Sequence, residues 1–417
     1  MSDTLHGEQT PAPPSKRRIG LLTWVLIAIV LGILCGLFFP DWLVKVFATF
    51  NGIFGNYLGF VIPLIIVGLI TPAISELGKG AGRSLGITAA IAYGSTLFAG
   101  FLAFGASMLV LPPLLSGREF TSANNPEESL LGAYFAIEMP PVFGVMTALV
   151  LSFLVGVALT FMKGDVVQRG MVEFRDIIDL VIRKTLIPLL PLYIFGIFLN
   201  MSASGEAFTI ISTFLGVVVF VFVLTLVILL IQFAVAGAVF RRNPLVMLRT
   251  MLPAYGTALG TSSSAATIPV TLRQAITMGV DERVASFVVP LCATIHLAGS
   301  TAKITSFALA IMLLAGHPIS PGLIAGFIFM LGITMVAAPG VPGGAIMTAA
   351  GLLSSMLGFT EPQVGLMIAT YIAIDSFGTA TNVTGDGAIA AVMHRIITKT
   401  TYRADADTSQ AELTTAV

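Results

Sequence analysis

The stretch AIDSFGTATNVTGDGAIA, residues 373–390, sets two carboxylates, Asp375 and Asp386, into an otherwise apolar run with no basic residue before Arg395. Two acids so placed can share a proton as a hydrolytic dyad, hold a cation, or receive the cationic end of a bound molecule. A dyad needs carboxyls about 3 Å apart. Eleven residues at a 1.5 Å rise put these two about 16 Å apart along a continuous helix. An intramembrane aspartyl protease built on this pair is excluded, no third membrane aspartate offers itself, and the chain is not read as an enzyme. On a helix, Asp375, Thr379, Asn382 and Asp386 fall four, three and four apart and share one face. His296, Ser300 and Lys303 follow the same count, four and three, in an earlier apolar run. Two polar stripes on apolar helices must face each other, a broken helix or water, because a charge facing lipid costs several kcal/mol. A buried Asp and Lys could merely lock two helices together, and an intramembrane His is as often a packing residue. Four polar positions in register favour function.

The elements that position these residues are membrane helices. The chain of 417 residues is 56% hydrophobic and 10% charged, with a mean hydropathy of +0.97, where soluble domains carry about a quarter charged residues. The segment from Ala207 to Phe240 contains no Asp, Glu, Lys or Arg. The class is an all-α integral membrane protein. Zero net charge implies no polyanionic partner, and nothing resembles a nucleic-acid surface. Cys35 and Cys292 stand alone in apolar runs, as small buried hydrophobes rather than a disulfide or a metal site. The start, MSDTLHGEQTPAPPSKRR, is polar and lacks the small-residue exit of a cleavable signal, so the run after it is read as a retained first helix.

Apolar segments fall at roughly 19–40, 43–75, 84–115, 141–162, 177–200 and 207–240. With a cytoplasmic N-terminus, alternate loops carry Lys16, Arg17 and Arg18; Lys79 and Arg83; Lys163 and Arg169; Arg241, Arg242 and Arg249. Basic residues therefore fall on the cytoplasmic side at every crossing. Beyond residue 243 the pattern is interrupted by GTSSSAAT (260–267) and APGVPGGA (338–345). Serine clusters compete for backbone hydrogen bonds and Pro and Gly break the ladder, so neither stretch can be a lipid-facing helix centre. Each is read as the tip of a re-entrant hairpin, over 244–278 and 320–358, followed by a full apolar segment, 285–315 and 362–396. The basic stretch MHRIITKTTYR after the last segment places the C-terminus in the cytoplasm. The two hairpins must then enter from opposite sides, an inverted repeat whose broken helices point to a midplane binding site. The total is eight transmembrane helices and two hairpins. A channel would require neither opposed hairpins nor so asymmetric a polar cluster.

NVTGD, the serine-rich first hairpin followed by ATIPVT, GVPGG in the second hairpin, PLCATI and the second-span stretch FVIPLIIVGLITPAI resemble the dicarboxylate/amino acid:cation symporters, the glutamate-transporter family. The likeness spans nearly the whole chain, and NVTGD together with both hairpins is its specific signal. The resemblance implies a cation-coupled symporter for a small amino acid or a dicarboxylate. It also implies a homotrimer in the inner (cytoplasmic) membrane, no organic cofactor, and sodium or a proton as the coupling ion. The implied layout is a cytoplasmic tail over 1–18, a scaffold over 19–83 and 116–206, an elevator-type transport domain over 84–115 and 207–400, and a flexible cytoplasmic tail over 401–417. It assigns Asp375 to the substrate amino group and Asn382 to its α-carboxylate, with Thr379, Ser300, Ser263, Ser264, Val341 and Gly343 lining the pocket. Asp386 becomes a sodium ligand, joined in the candidate cation set by Asn382, Thr294, His296, Ser95 and Thr96.

The departures from the pattern carry information of their own. Where the family reads Asn-Met-Asp-Gly-Thr, this chain reads HLAGS, residues 296–300, so Ala298 replaces an acid and His296 an asparagine. Sodium wants oxygen ligands, which imidazole is not, while Ser95 and Thr96 still offer hydroxyls. The arginine that holds a substrate's side-chain carboxylate in acidic-amino-acid carriers is replaced by Gly378, and the alternative hairpin position is Ser262. Lys303 stands where relatives usually carry an aromatic residue. Lys303 either pairs with Asp375 or Asp386 as a built-in cation, or binds an anionic group of the substrate. Loss of the arginine favours a neutral amino acid, Lys303 keeps an acidic substrate open, and His and Lys make a proton-coupled carrier or exchanger the alternative.

Overall fold

The computed structural model describes residues 21–78, 83–116, 131–203, 207–338 and 343–415, and no strand occurs among them. The first half comprises α1 (Leu21–Gly36), α2 (Asp41–Gly78), α3 (Arg83–Leu115), α4 (Val145–Phe161), α5 (Val166–Val181), α6 (Ile187–Ala203) and α7 (Ala207–Phe240). A wide π-helical turn, Ile182–Leu186, joins α5 to α6, just before Pro188 and Pro191 withdraw two backbone donors. These helices follow the expected apolar segments closely, except that the fifth begins at Val166, eleven residues earlier than its apolar run.

The second half consists of α8 (Pro244–Thr261), α9 (Ser264–Thr277), α10 (Glu282–Ile295), α11 (Ala298–Leu314), α12 (Pro321–Val336), α13 (Gly344–Leu357), α14 (Glu361–Ala373) and α15 (Asp375–Thr415). Both interruptions fall at the anticipated places. At the first, Ser262 adopts a left-handed conformation (φ 48°) and ends α8, while the Ser263 hydroxyl oxygen accepts from Ala266 N–H to start α9. α8 packs on α9 and α12 on α13.

Two breaks depart from the expected full segments. The run 285–315 unwinds at His296 and Leu297, separating α10 from α11, so His296 does not share a continuous helix with Ser300 and Lys303. The run 362–396 bends by 61° between α14 and α15, with Ile374 outside both and Asp375 in the first turn of α15. α15 then runs to Thr415, through the stretch expected to be a flexible tail. Among the described residues, five helices are long and apolar enough to cross a membrane, or six with the bent pair taken as one span. The expected eight is not reached by length alone, because α1 and α4 hold 16 and 17 residues, short of the roughly 20 that a span needs.

α1, α2, α4, α5 and α6 pack mainly on one another, and α3 and α7 to α11 pack around α15. α11 is the centre of the second group. It is buried along almost its whole length and touches α3, α7, α14 and α15. One apolar cluster joins α2 and α6 to α11, α12, α13 and α14; a second binds α8, α9 and α10 to α15. The polar stripe of α15 runs between them, removed from lipid and solvent alike. Both cysteines are free thiols, and Cys292 is buried.

Candidate functional site

The stripe predicted for α15 is present on one continuous helix, and the residues of α11 and the α10–α11 break lie along it. Asp375, Thr379, Asn382 and Asp386 are all buried, as are His296, Ser300 and Lys303. Three clusters follow one another down α15.

The first is at the bend. Lys303, completely buried, donates from Nζ to Asp375 Oδ1 and to the Ile374 carbonyl, each at 3.3 Å. Its ammonium also lies 3.7 Å from the centre of the Tyr371 ring, at cation–π distance. The other carboxylate oxygen, Asp375 Oδ2, accepts from Gly343 N–H at 2.9 Å. Gly343 precedes α13 with φ +75°, a conformation that glycine adopts without strain. A side chain at Gly378 has no room: a Cβ there would stand 2.3 Å from Lys303 Cε and 2.6 Å from Nζ. The space beside Gly378 is thus filled by the lysine of another helix.

The second cluster is at Asn382. Its Oδ1 accepts from Gly299 N–H at 2.8 Å and Ser300 N–H at 3.4 Å, and its Nδ2 donates to Ser300 Oγ at 3.0 Å. Leu297, which precedes α11, has no capping side chain, so Asn382 supplies the cap from a neighbouring helix. Tyr371 Oη donates to the same Ser300 oxygen at 2.9 Å.

The third cluster is at Asp386, whose Oδ1 accepts from His296 Nδ1–H at 2.9 Å, both side chains being essentially unexposed. The other ring nitrogen lies 3.1 Å from Ser95 Oγ, which accepts from Gln232 Nε2 at 2.9 Å. Two buried oxygens here have no hydrogen-bond partner among the described residues, Asp386 Oδ2 and Gln232 Oε1. Unpartnered buried acceptors are rare and ask for a reason, and oxygen donors of this kind suit a hard cation. Gly385 again makes the space, since a Cβ there would meet Gln232 Oε1 at 2.6 Å and His296 Cε1 at 2.8 Å.

Asp375, Asn382, Ser300, Lys303 and Gly343 therefore meet in one contiguous network, and Asp386, His296 and Ser95 in the next. Thr379 lies buried between Asp375 and Asn382 on the same face. Thr96 is buried with its hydroxyl unpartnered. Thr294 stays apart: it is exposed and donates to the Leu291 carbonyl of its own helix. Ser263 starts α9, accepting from Ala266 N–H, and Ser264 is the first residue of that helix. Val341 lies outside the described residues. Two participants escape a reading of spacing alone. Gln232 is the one side-chain amide within α7, a signal available in the sequence. Tyr371 lies on α14, across the bend from the stripe, where no count along one helix would reach it.

The family model described as "Sodium:dicarboxylate symporter family" matches residues 21–396. A serine/threonine transporter SstT of Acinetobacter baumannii is 27% identical over 383 residues, covering 88% of this chain and 95% of that protein. SstT of Streptococcus suis is 24% identical over 339 residues, covering 79% of this chain and 94% of that protein. Excitatory amino acid transporter 5 of Mus musculus is 32% identical over 160 residues, 38% of this chain and 28% of that protein.

Proposed function

Because the chain belongs to the sodium:dicarboxylate symporter family, we propose that it couples inward movement of a cation, sodium in the first instance, to uptake of a small amino acid or a dicarboxylate. The observation that carries the reading is the polar stripe of α15, buried against two helix breaks. Its Asp375 end offers a lysine and amide donors to a small polar solute, and its Asp386 end offers unpartnered oxygens to a cation. Backbone interrupted at membrane depth is tolerated where it is packed in protein or lines a cavity, and such breaks mark transporter binding sites.

In this reading Asp375, Lys303, Asn382, Ser300 and Thr379 contact the solute, with Ser263, Ser264 and Gly343 closing over it from the two hairpins. Asp386, Ser95, Thr96 and Gln232 hold the cation, and His296 takes one oxygen of Asp386 away from it. The hairpins are re-entrant from opposite sides, the group packed around α15 moves as an elevator against the α1, α2, α4, α5 and α6 group, and three copies assemble in the membrane with both termini in the cytoplasm. The packing division into two groups supports that motion, and the names of the full-length relatives support an amino acid among the candidate solutes.

Purified protein in liposomes, loaded with a panel of amino acids and dicarboxylates, tests the reading. An inward sodium gradient is expected to drive uptake of at least one panel member. Uptake driven by a proton gradient in sodium-free medium would replace sodium by a proton at the Asp386 end, and solute flux indifferent to every gradient would indicate a channel.

A further inference from the structure

We infer that Lys303 determines specificity by standing in for a substrate ammonium on Asp375, so that this carrier selects small organic anions without an amino group, dicarboxylates above all, over amino acids. The inference deepens the transporter reading and rests on it.

An ammonium is recognised by a carboxylate, by carbonyl oxygens and by an aromatic face. At the bend of α14 and α15 all three exist, and all three already hold the ammonium of Lys303: Asp375 Oδ1 and the Ile374 carbonyl at 3.3 Å, and the Tyr371 ring at 3.7 Å. Asp375 Oδ2 is engaged by Gly343 N–H at 2.9 Å. The second carboxylate of the stripe, Asp386, lies about 16 Å further along the helix and holds His296. Among the described residues a zwitterion entering here meets no uncommitted carboxylate for its positive end.

A substrate ammonium could succeed only by evicting the lysine. The space beside the lysine stem is a cavity of about 300 Å³ lined by Val218, Val221, Phe222, Thr225, Ile374 and Phe377. It is apolar apart from one threonine, and moving an ammonium there without a partner is strongly unfavourable. Gly378 fits the same account, because any side chain there would collide with the last two atoms of Lys303. The pair is complementary in shape: the lysine passes through the volume that the glycine leaves.

What this end still offers are donors. Lys303 has three N–H groups and spends two on Asp375 and Ile374, and the amide end of α13 starts at Gly344 beside it. Donors of this kind, with a positive helix end, receive a carboxylate.

The test is calorimetric titration of the full-length protein in lipid nanodiscs, in sodium, with succinate and with L-serine. The wild type is expected to bind succinate at least about tenfold more tightly than L-serine, the scale of one charge-assisted hydrogen bond. Lys303→Met frees Asp375 and is expected to reverse that order. Because Lys303→Met leaves a buried charge alone and could unfold, the double variant Lys303→Met/Asp375→Asn serves as its partner. It removes both charges and should keep the wild-type Tm while losing succinate affinity by at least about tenfold. A wild type that prefers L-serine, or a double variant that keeps full succinate affinity, overturns the assignment of Lys303 and leaves the transporter reading standing. Binding of neither compound, with no panel member taken up in liposomes, overturns both.

Discussion

The two ends of the α15 stripe look alike in the sequence and differ in the structure. Each is an aspartate facing a basic residue from the α10–α11 segment: Asp375 with Lys303, Asp386 with His296. At Asp375 both oxygens are used, one by the ammonium and one by Gly343 N–H. At Asp386 one oxygen is used and the other, like Gln232 Oε1 beside it, has no partner among the described residues. A saturated carboxylate beside a lysine presents donors, and an unsaturated one beside an amide and hydroxyls presents acceptors. In the proposed reading the same residue type, eleven positions apart, serves an anion at one end and a cation at the other. Charge balance also differs. The Lys–Asp pair is neutral with its own ammonium in place, while the imidazole neutralises Asp386 only when it is protonated.

The sharpest way to break the comparison is to remove one acid. Asp386→Asn is expected to lower sodium-driven uptake by at least about tenfold, because it removes the charged oxygen ligand of that end, a contact of about 1.5–3 kcal/mol. Measured uptake within a few-fold of wild type would mean that the cation is held elsewhere. Next come the two glycines that make room for the two basic residues. Gly378→Ala pushes a methyl into Lys303 and should destabilise the protein by about 1–3 kcal/mol, read as a fall in Tm. Gly385→Ala meets the side-chain ends of Gln232 and His296 and should act on the sodium concentration for half-maximal uptake more than on solute affinity. If both glycine variants shifted the same parameter, the two ends would not be separate sites. His296→Asn places an amide oxygen where the imidazole stands, and should lower the sodium concentration for half-maximal uptake by about tenfold, as an added oxygen ligand does for a hard cation. The smallest effect is expected for Tyr371→Phe. It removes the hydroxyl that donates to Ser300 but keeps the ring over Lys303, at a cost of about 1 kcal/mol in thermal stability.

Much of this was legible in the residues. GTSSSAAT and APGVPGGA announce their breaks because serine, proline and glycine oppose helix locally, and the four-three-four spacing of Asp375, Thr379, Asn382 and Asp386 is a property of one helix. The breaks at His296–Leu297 and at Ile374 were not legible. Neither HLAG nor AIDS contains a proline, and both sites are held open by distant partners: Asn382 capping α11 from another helix, and Lys303 taking the Ile374 carbonyl. Gln232 could have been picked out as the lone amide of α7, but only tertiary packing sets it on Ser95. The saturation of Asp375 and the spare oxygen of Asp386 depend on Gly343 and His296 arriving from different segments, and no spacing within one helix encodes that.

The most direct test of the division between the two ends is the sodium dependence of solute binding, measured by titration in nanodiscs for the wild type, Asp386→Asn and Lys303→Met. The account predicts that Asp386→Asn abolishes the dependence on sodium while leaving the preference among solutes intact, and that Lys303→Met changes the preferred solute while leaving the sodium dependence intact. A Lys303 variant that loses its sodium dependence, beside an Asp386 variant that retains it, would contradict the account.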